Sequence, residues 1–259
     1  MIDRRNFVLS LTPACILAAA EPAPRTPEVT KLFRSPDGHP NALEATEEGL
    51  WVGEQTTDRA YLLDWKTGKV LRKVETESSN TSGLAYGGGV LWMGANGKAI
   101  GRNPKPTDAK SGEIIKVDPA TGRTLARYPV PDGGGVHGVL YVDGTVWMTC
   151  FRWKALVQVD AKDFKVMSKV PLQLDRPHGL AWQPPGIWVM HSTDYVVHKL
   201  DLKDGRILDQ IKLRQGHDPD PHGMDMHDGK MYYCDAGIAP GGGDNGSPGA
   251  GYICSFPLA

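Results

Sequence analysis

Charge of one sign is missing from this sequence: 29 Lys and Arg stand against 30 Asp and Glu, a formal net charge of -1. A nucleic-acid or anionic-membrane surface is therefore disfavoured as partner, because either would call for a basic face. Cysteine is scarce, four in 259 residues, too few for a disulfide framework to stand in for a hydrophobic core. Long apolar runs are absent after the first twenty residues. Nothing there approaches the roughly 18 residues of a membrane span, so no stable membrane insertion is expected. The run Gly241-Gly242-Gly243 lacks the strand-to-helix setting of a phosphate loop.

What is present begins at the N-terminus. Arg4-Arg5-Asn6-Phe7-Val8-Leu9, followed by a mildly apolar run to Ala20, reads as a twin-arginine signal peptide over residues 1–20, with cleavage before Glu21. Residues 21–259 are then one exported domain, periplasmic or secreted. At 40% apolar residues the chain can bury a sizeable core. Loss of the leader removes Cys15 and leaves Cys150, Cys234 and Cys254. Cys234 and Cys254 fall on neighbouring strands, and two readings stay open: a disulfide, or two small buried apolar side chains.

The mature chain repeats itself. The pattern is x-Gly/Ala-Leu/Val/Met, a short interval, Gly, then apolar, aromatic, apolar. Its copies run from Asn41 to Trp51, Ser82 to Trp92, His137 to Trp147, His178 to Trp188 and His222 to Tyr232, the first residue always ten positions before the aromatic. The first four copies continue through an apolar stretch ending in Asp (Asp64, Asp118, Asp160, Asp201), a turn usually closed by Gly, and a further strand. A unit of four short antiparallel strands cannot cover both of its faces alone; packed radially, such units cover one another. The expected fold is all-β, a five-bladed β-propeller with four-stranded antiparallel blades. The fifth copy ends after its third strand, and Val29-Thr30-Lys31-Leu32-Phe33 is expected to close that last blade. The aromatic column is core packing.

In such blades the first strand starts on the face where the second ends, so two columns of residues meet on one side of the disc. The inner column is Asn41, Ser82, His137, His178, His222; the second is Glu54, Ala95, Cys150, His191, Asp235. Three imidazoles at equivalent axial positions point to a divalent metal ion, zinc, iron or similar, because neutral imidazole ligates these metals and three nitrogens with an open position suit catalysis. Asp218, Asp220 and Glu54 are available as an extra ligand or as support. His191, Glu54 and Asp235 are candidate proton-transfer groups beside such a metal. Asn41, Ser82, Asn96, Cys150, Arg152 and Tyr195 are candidate contacts for a small-molecule substrate. Two long insertions rich in Gly and Pro, 96–111 and 236–250, fall on the same face, as lids or as disordered loops.

At Pro177-His178-Gly179-Leu180, through Trp188 and the Asp201-to-Gly205 turn, the sequence resembles the YVTN/NHL-type propeller repeats. Among enzymes it is similar to the streptogramin B lyase and peptidyl-hydroxyglycine amidating lyase families. The amidating-lyase resemblance implies a zinc-binding role for His178, with His137 and His222 as repeat equivalents. The streptogramin-lyase resemblance implies a divalent cation and a histidine base, here His191 or an axial histidine. A calcium lactonase of the gluconolactonase type fits less well, because the second column offers few Asn and Glu ligands. The expected activity is a metal-dependent lyase or hydrolase acting, as a monomer, on a small exported ester, amide or glycoside-like substrate. The alternative is a propeller that binds a ligand or protein without turnover.

Overall fold

The computed structural model describes residues 20–258. The leader read over residues 1–20 lies outside the described residues except for Ala20. Twenty strands account for the regular structure, and no helix occurs among the described residues. Strand β1 (Thr30–Arg34) precedes the first repeat. Blade one is β2 (Pro40–Ala45), β3 (Leu50–Glu54), β4 (Ala60–Leu63) and β5 (Val70–Val74); blade two is β6 (Thr81–Gly87), β7 (Val90–Asn96), β8 (Gly112–Val117) and β9 (Thr124–Pro129). Blade three is β10 (Val139–Val142), β11 (Thr145–Cys150), β12 (Ala155–Asp160) and β13 (Val166–Pro171); blade four is β14 (Pro177–Gln183), β15 (Gly186–His191), β16 (Val196–Asp201) and β17 (Ile207–Lys212). Blade five holds β18 (Met224–His227), β19 (Lys230–Cys234) and β20 (Tyr252–Pro257).

Each blade is an antiparallel sheet of four strands, and the fourth strand of blade five is β1, paired with β20 from Thr30↔Ser255 to Arg34↔Tyr252. The two ends of the chain thus close the ring by hydrogen bonds. The inner strands touch in sequence, β2 to β6, β6 to β10, β10 to β14, β14 to β18 and β18 back to β2. That circuit is the axis of a five-bladed propeller.

The glycine after each axial residue is explained by this close approach. A Cβ on Gly138 would lie 2.0 Å from the His178 carbonyl oxygen, and one on Gly179 would lie 2.2 Å from the Met224 nitrogen. Only glycine lets neighbouring inner strands come so near. The aromatic column fills the gaps between blades: Trp51, Trp92, Trp147 and Trp188 are all buried. The outer turns repeat as well. Asp64 Oδ1 accepts the Lys66 and Thr67 amides, and Gly68 closes the turn at φ 66°. In blade three Phe164 takes the same place at φ 60° and makes the same amide bond back to the Asp160 carbonyl, so the turn is kept without glycine.

The cysteine question resolves through register. Cys234 pairs with Ile253 and Cys254 with Tyr233, so the two side chains are offset by one residue. They project from opposite faces of the sheet into different cores, and all three described cysteines are free and buried. No helix among the described residues is long and apolar enough to cross a membrane.

Candidate functional site

The inner-column residues meet at one end of the axis. Asn41, Ser82, Asn96, His137, His178 and His222 line a single cavity of about 400 Å³. His178 occupies the middle of the imidazole row, edge-on to both neighbours, with ring centroids 4.2 Å from His137 and 4.7 Å from His222. His137 Nδ1 lies 2.7 Å from His178 Nε2, so one ring donates to the other. Burial holds all three below the ordinary histidine range, His137 down to about 3. At neutral pH they are uncharged, the form that ligates metals. His222 Nδ1 faces the Asp220 carbonyl oxygen at 3.2 Å, which makes it the N–H nitrogen and leaves the lone pair on Nε2.

The strand entries position these side chains through hydrogen bonds within and between blades. The Asn41 amide donates to the Thr81 carbonyl at 3.0 Å and to Ser82 Oγ at 2.9 Å. Thr149 Oγ1 accepts the His137 and Gly138 amides. Asn96 clamps blade two to blade three by donating to the Val136 carbonyl and accepting the Val136 amide.

Two residues before the inner column lies a third one: His39, Asn80, Gly135, Arg176 and Asp220. Asn80 and Arg176 both line the cavity, and both hold left-handed backbone, at φ 51° and 47°. For a long side chain just before a proline this conformation is unfavourable, a form of strain that collects at functional sites. Arg176 Nη2 lies 3.4 Å from His222 Nε2. It makes no ion pair within 4.0 Å among the described residues, and burial lowers its pKa. Lys98 is the other cation on the lining, and no Asp or Glu among the described residues lines this cavity. Arg176 is not singled out by sequence reading, and Lys98 stands there only as one of the basic residues, with Arg102, Lys105 and Lys110, that make the 96–111 insertion favour acidic ligands. Shifting the repeat alignment by two residues would have found Arg176, whereas Lys98 lies in an insertion without repeat equivalents.

The second column sits elsewhere. Glu54, Cys150, His191 and Asp235 are all fully buried, and none lines the axial cavity. Glu54 accepts the His39 amide through Oε2, and burial raises its carboxyl to about 8, so it is protonated at neutral pH. Burial raises the Cys150 thiol to about 12, which keeps it an unreactive packed thiol. His191 is held neutral by burial, down to about 4, and neither ring nitrogen has a hydrogen-bond partner. Asp235 accepts four hydrogen bonds: the Asp220 and Gly237 amides, Asn245 Nδ2 and Ser247 Oγ. It pins the 236–250 insertion. Arg152 is exposed beside a neighbouring depression that also includes Asn96 and His137. Tyr195 is half-buried, its phenol pushed up by burial and by the Asp220 carboxylate.

Both insertions are ordered roofs. Arg102 bonds Asp58 Oδ2 at 2.6 Å, Asp108 Oδ1 at 2.7 Å and the Ser78 carbonyl at 3.1 Å, which ties the 96–111 segment to blades one and two. In the other roof, Ala239 and Gly243 form a tight turn whose tip covers the axial cavity.

A divalent ion is consistent with these residues. Three neutral imidazoles share the cavity floor, and His178 Nδ1 and Asn41 Oδ1 are buried with no protein partner. Among the described residues one group of three potential ligands, Asp220, His222 and Asp235, has its donor atoms within 4.8 Å of one another. A metal site at this end of the axis is therefore geometrically possible. Both sets share His222.

No protein-family model matches the sequence, and no curated protein aligns with it significantly. Solved structures do match. Glutaminyl cyclase from Myxococcus xanthus superposes with a TM-score of 0.62 at 13% identity, over 92% of this chain and 100% of that one. The likeness is one of fold. A protein of unknown function from Bacteroides caccae follows at TM-score 0.50 and 13% identity, over 76% of this chain and 70% of that one.

Proposed function

We propose that this protein is an exported, divalent-metal-dependent lyase or hydrolase whose substrate, a small ester, amide or glycoside-like molecule, sits in the axial cavity. The observation that carries this reading is the row of three neutral imidazoles on the floor of a cavity that also presents an unpaired guanidinium. His137, His178 and His222 would hold the ion. The group whose donor atoms already lie within 4.8 Å of one another is Asp220–His222–Asp235, so the imidazoles would have to draw together around an ion. They are preferred because both Asp235 oxygens are already engaged in holding a loop. A bound divalent ion supplies Lewis acidity toward a carbonyl oxygen or lowers the pKa of water.

The chain's own residues do the rest. Arg176 and Lys98 orient an anionic group, while Asn41, Ser82 and Asn96 offer neutral hydrogen bonds. Tyr195 and Asp220 stand behind His222 rather than on the cavity lining, and the Asp220 carboxylate acts on its charge. His191 and Glu54, buried behind the lining, set its shape and polarity. The similarity to YVTN/NHL-type repeats and to the two lyase families agrees with an axial histidine site, and the Myxococcus enzyme supplies the fold without its reaction.

Turnover of a panel of lactones, esters and peptidyl amides, with and without chelator, tests the proposal. Chelation is expected to reduce turnover by at least about 100-fold, with recovery on adding zinc or iron, since metal activation contributes several kcal/mol. Turnover indifferent to chelator would overturn it. Ligand capture with no turnover would favour the binding-propeller reading, which the direct His137–His178 hydrogen bond also accommodates.

A further inference from the structure

The axial cavity does not end at its own wall. A second cavity of about 500 Å³ adjoins it, and Ile100 and Ile238 line both. These two side chains come one from each insertion, and both are half-buried. Arg102 and Asp235 fix the segments that carry them. The partition is thus a pair of aliphatic side chains held between two compartments.

The compartments differ in character. The axial one carries Arg176 and Lys98 and has no carboxylate on its lining among the described residues. Arg176 keeps a left-handed backbone, is partly desolvated, feels the Asp220 carboxylate only at longer range, and has no ion pair within 4.0 Å among the described residues. A guanidinium in that state is stabilised by an anion that can take its planar fork. The second compartment is lined by Arg34, His39 and Asp244 and by Ile100, Ile238 and Ala250, which supply its apolar wall. An end whose cations have no carboxylate on its lining and an end of mixed charge, joined across the aliphatic pair Ile100 and Ile238, match an elongated ligand better than a compact one.

We infer that the two cavities form one site for an amphiphilic anion, a carboxylate-bearing amide or ester whose acyl chain passes between Ile100 and Ile238. The carboxylate pairs with Arg176, supported by Lys98. The acyl chain lies in the second cavity. The inference rests on the axial cavity being the substrate site, but not on metal or on turnover.

Calorimetric titration of the mature chain with N-octanoylglycine, N-acetylglycine and octanamide tests it. Burying a methylene is worth roughly fourfold in affinity, so even partial burial of the added six makes N-octanoylglycine at least about 30-fold tighter than N-acetylglycine. Octanamide, lacking the carboxylate, is expected about tenfold or more weaker. Arg176→Gln should erase the carboxylate advantage and leave octanamide binding unchanged. Ile100→Asn, which adds no charge beside Arg176, should erase the octanoyl advantage and change N-acetylglycine binding less than about threefold, and Ile238→Asn reads the same if the first variant disturbs its loop. The chain-length comparison on the unmodified protein needs no variant. Equal binding of the two acylglycines, or an Arg176→Gln protein that still prefers N-octanoylglycine over octanamide, overturns the inference. Chelator that abolishes turnover leaves the chain-length preference intact, and a chelator-insensitive enzyme with that preference counts only against the metal.

Discussion

The central channel has two contrasting depths. At the cavity end stand His137, His178 and His222. Three residues further along the inner strands, about 10 Å deeper, stand Glu44 of blade one and Asp225 of blade five, both buried. Burial disfavours charge on both sets, pushing the imidazole pKa values down and the carboxyl values up, Asp225 to about 7. The carboxyls do structural work between blades: Asp225 Oδ2 accepts the Ala45 amide at 2.7 Å, and Glu44 interacts in the same way with the Tyr86 amide of blade two. In blades two to four the equivalent positions are Ala85, Leu140 and Ala181. The imidazoles open onto a cavity and retain an unpartnered nitrogen at His178, whereas Asp225 joins blade five to blade one and Glu44 joins blade one to blade two. Burial of titratable groups alone therefore does not mark a site; access and unmet hydrogen bonding do.

The largest effect that sharpens this contrast is on activity. His178→Ala is expected to lower kcat/KM by at least about 100-fold, the order of a lost metal ligand, while Glu44→Gln changes it less than about twofold. Steady-state kinetics on the two variants checks it. A comparable loss in both would merge the two ends into one functional unit.

Stability against pH separates the ends next. Asp225 has a folded pKa near 7 against about 3.9 for an unfolded Asp. Its contribution is fully present below the lower value and is lost as pH rises through about 7. At about 1.4 kcal/mol per pKa unit the loss is at most about 4 kcal/mol. The buried imidazoles change stability in the opposite sense over the same range, so urea unfolding of wild type and Asp225→Asn is compared at pH 5 and pH 8: the advantage of wild type should shrink by about 2–3 kcal/mol. An advantage unchanged between the two pH values would remove Asp225 from the account.

A smaller effect is expected in the roof. Arg102→Ala leaves Asp58, fully buried, without its ion pair, at a cost of about 3 kcal/mol in unfolding free energy. A midpoint within the error of wild type would show that the 96–111 segment is not held as described. The smallest effect is none at all: with three free buried cysteines, reductant should leave the thermal midpoint unchanged, and a clear drop would reveal a disulfide.

Much of this molecule was legible before its structure. The ten-residue spacing from axial residue to aromatic recurs because every blade solves the same packing problem, and that fixed blade number, strand order and ring closure by Thr30–Arg34. The inner column was legible for the same reason. What escaped were features that depend on three-dimensional neighbours. The second column looked equally suited to chemistry, yet Glu54, Cys150, His191 and Asp235 point into packed surroundings. Arg176 was hidden because its backbone, at φ 47°, follows no propensity for arginine. The partition by Ile100 and Ile238 arises from two insertions far apart in sequence, which no repeat alignment brings together.

The central claim is that the axial imidazoles, and not the carboxylate pocket behind them, form the metal centre. Elemental analysis of the exported protein, purified without chelator, tests it most directly when wild type, His178→Ala and Asp235→Asn are compared. The account predicts about one divalent ion per chain in the wild type, retained in Asp235→Asn and lost in His178→Ala. A wild-type protein without metal, or one whose metal survives His178→Ala and is lost in Asp235→Asn, would contradict it.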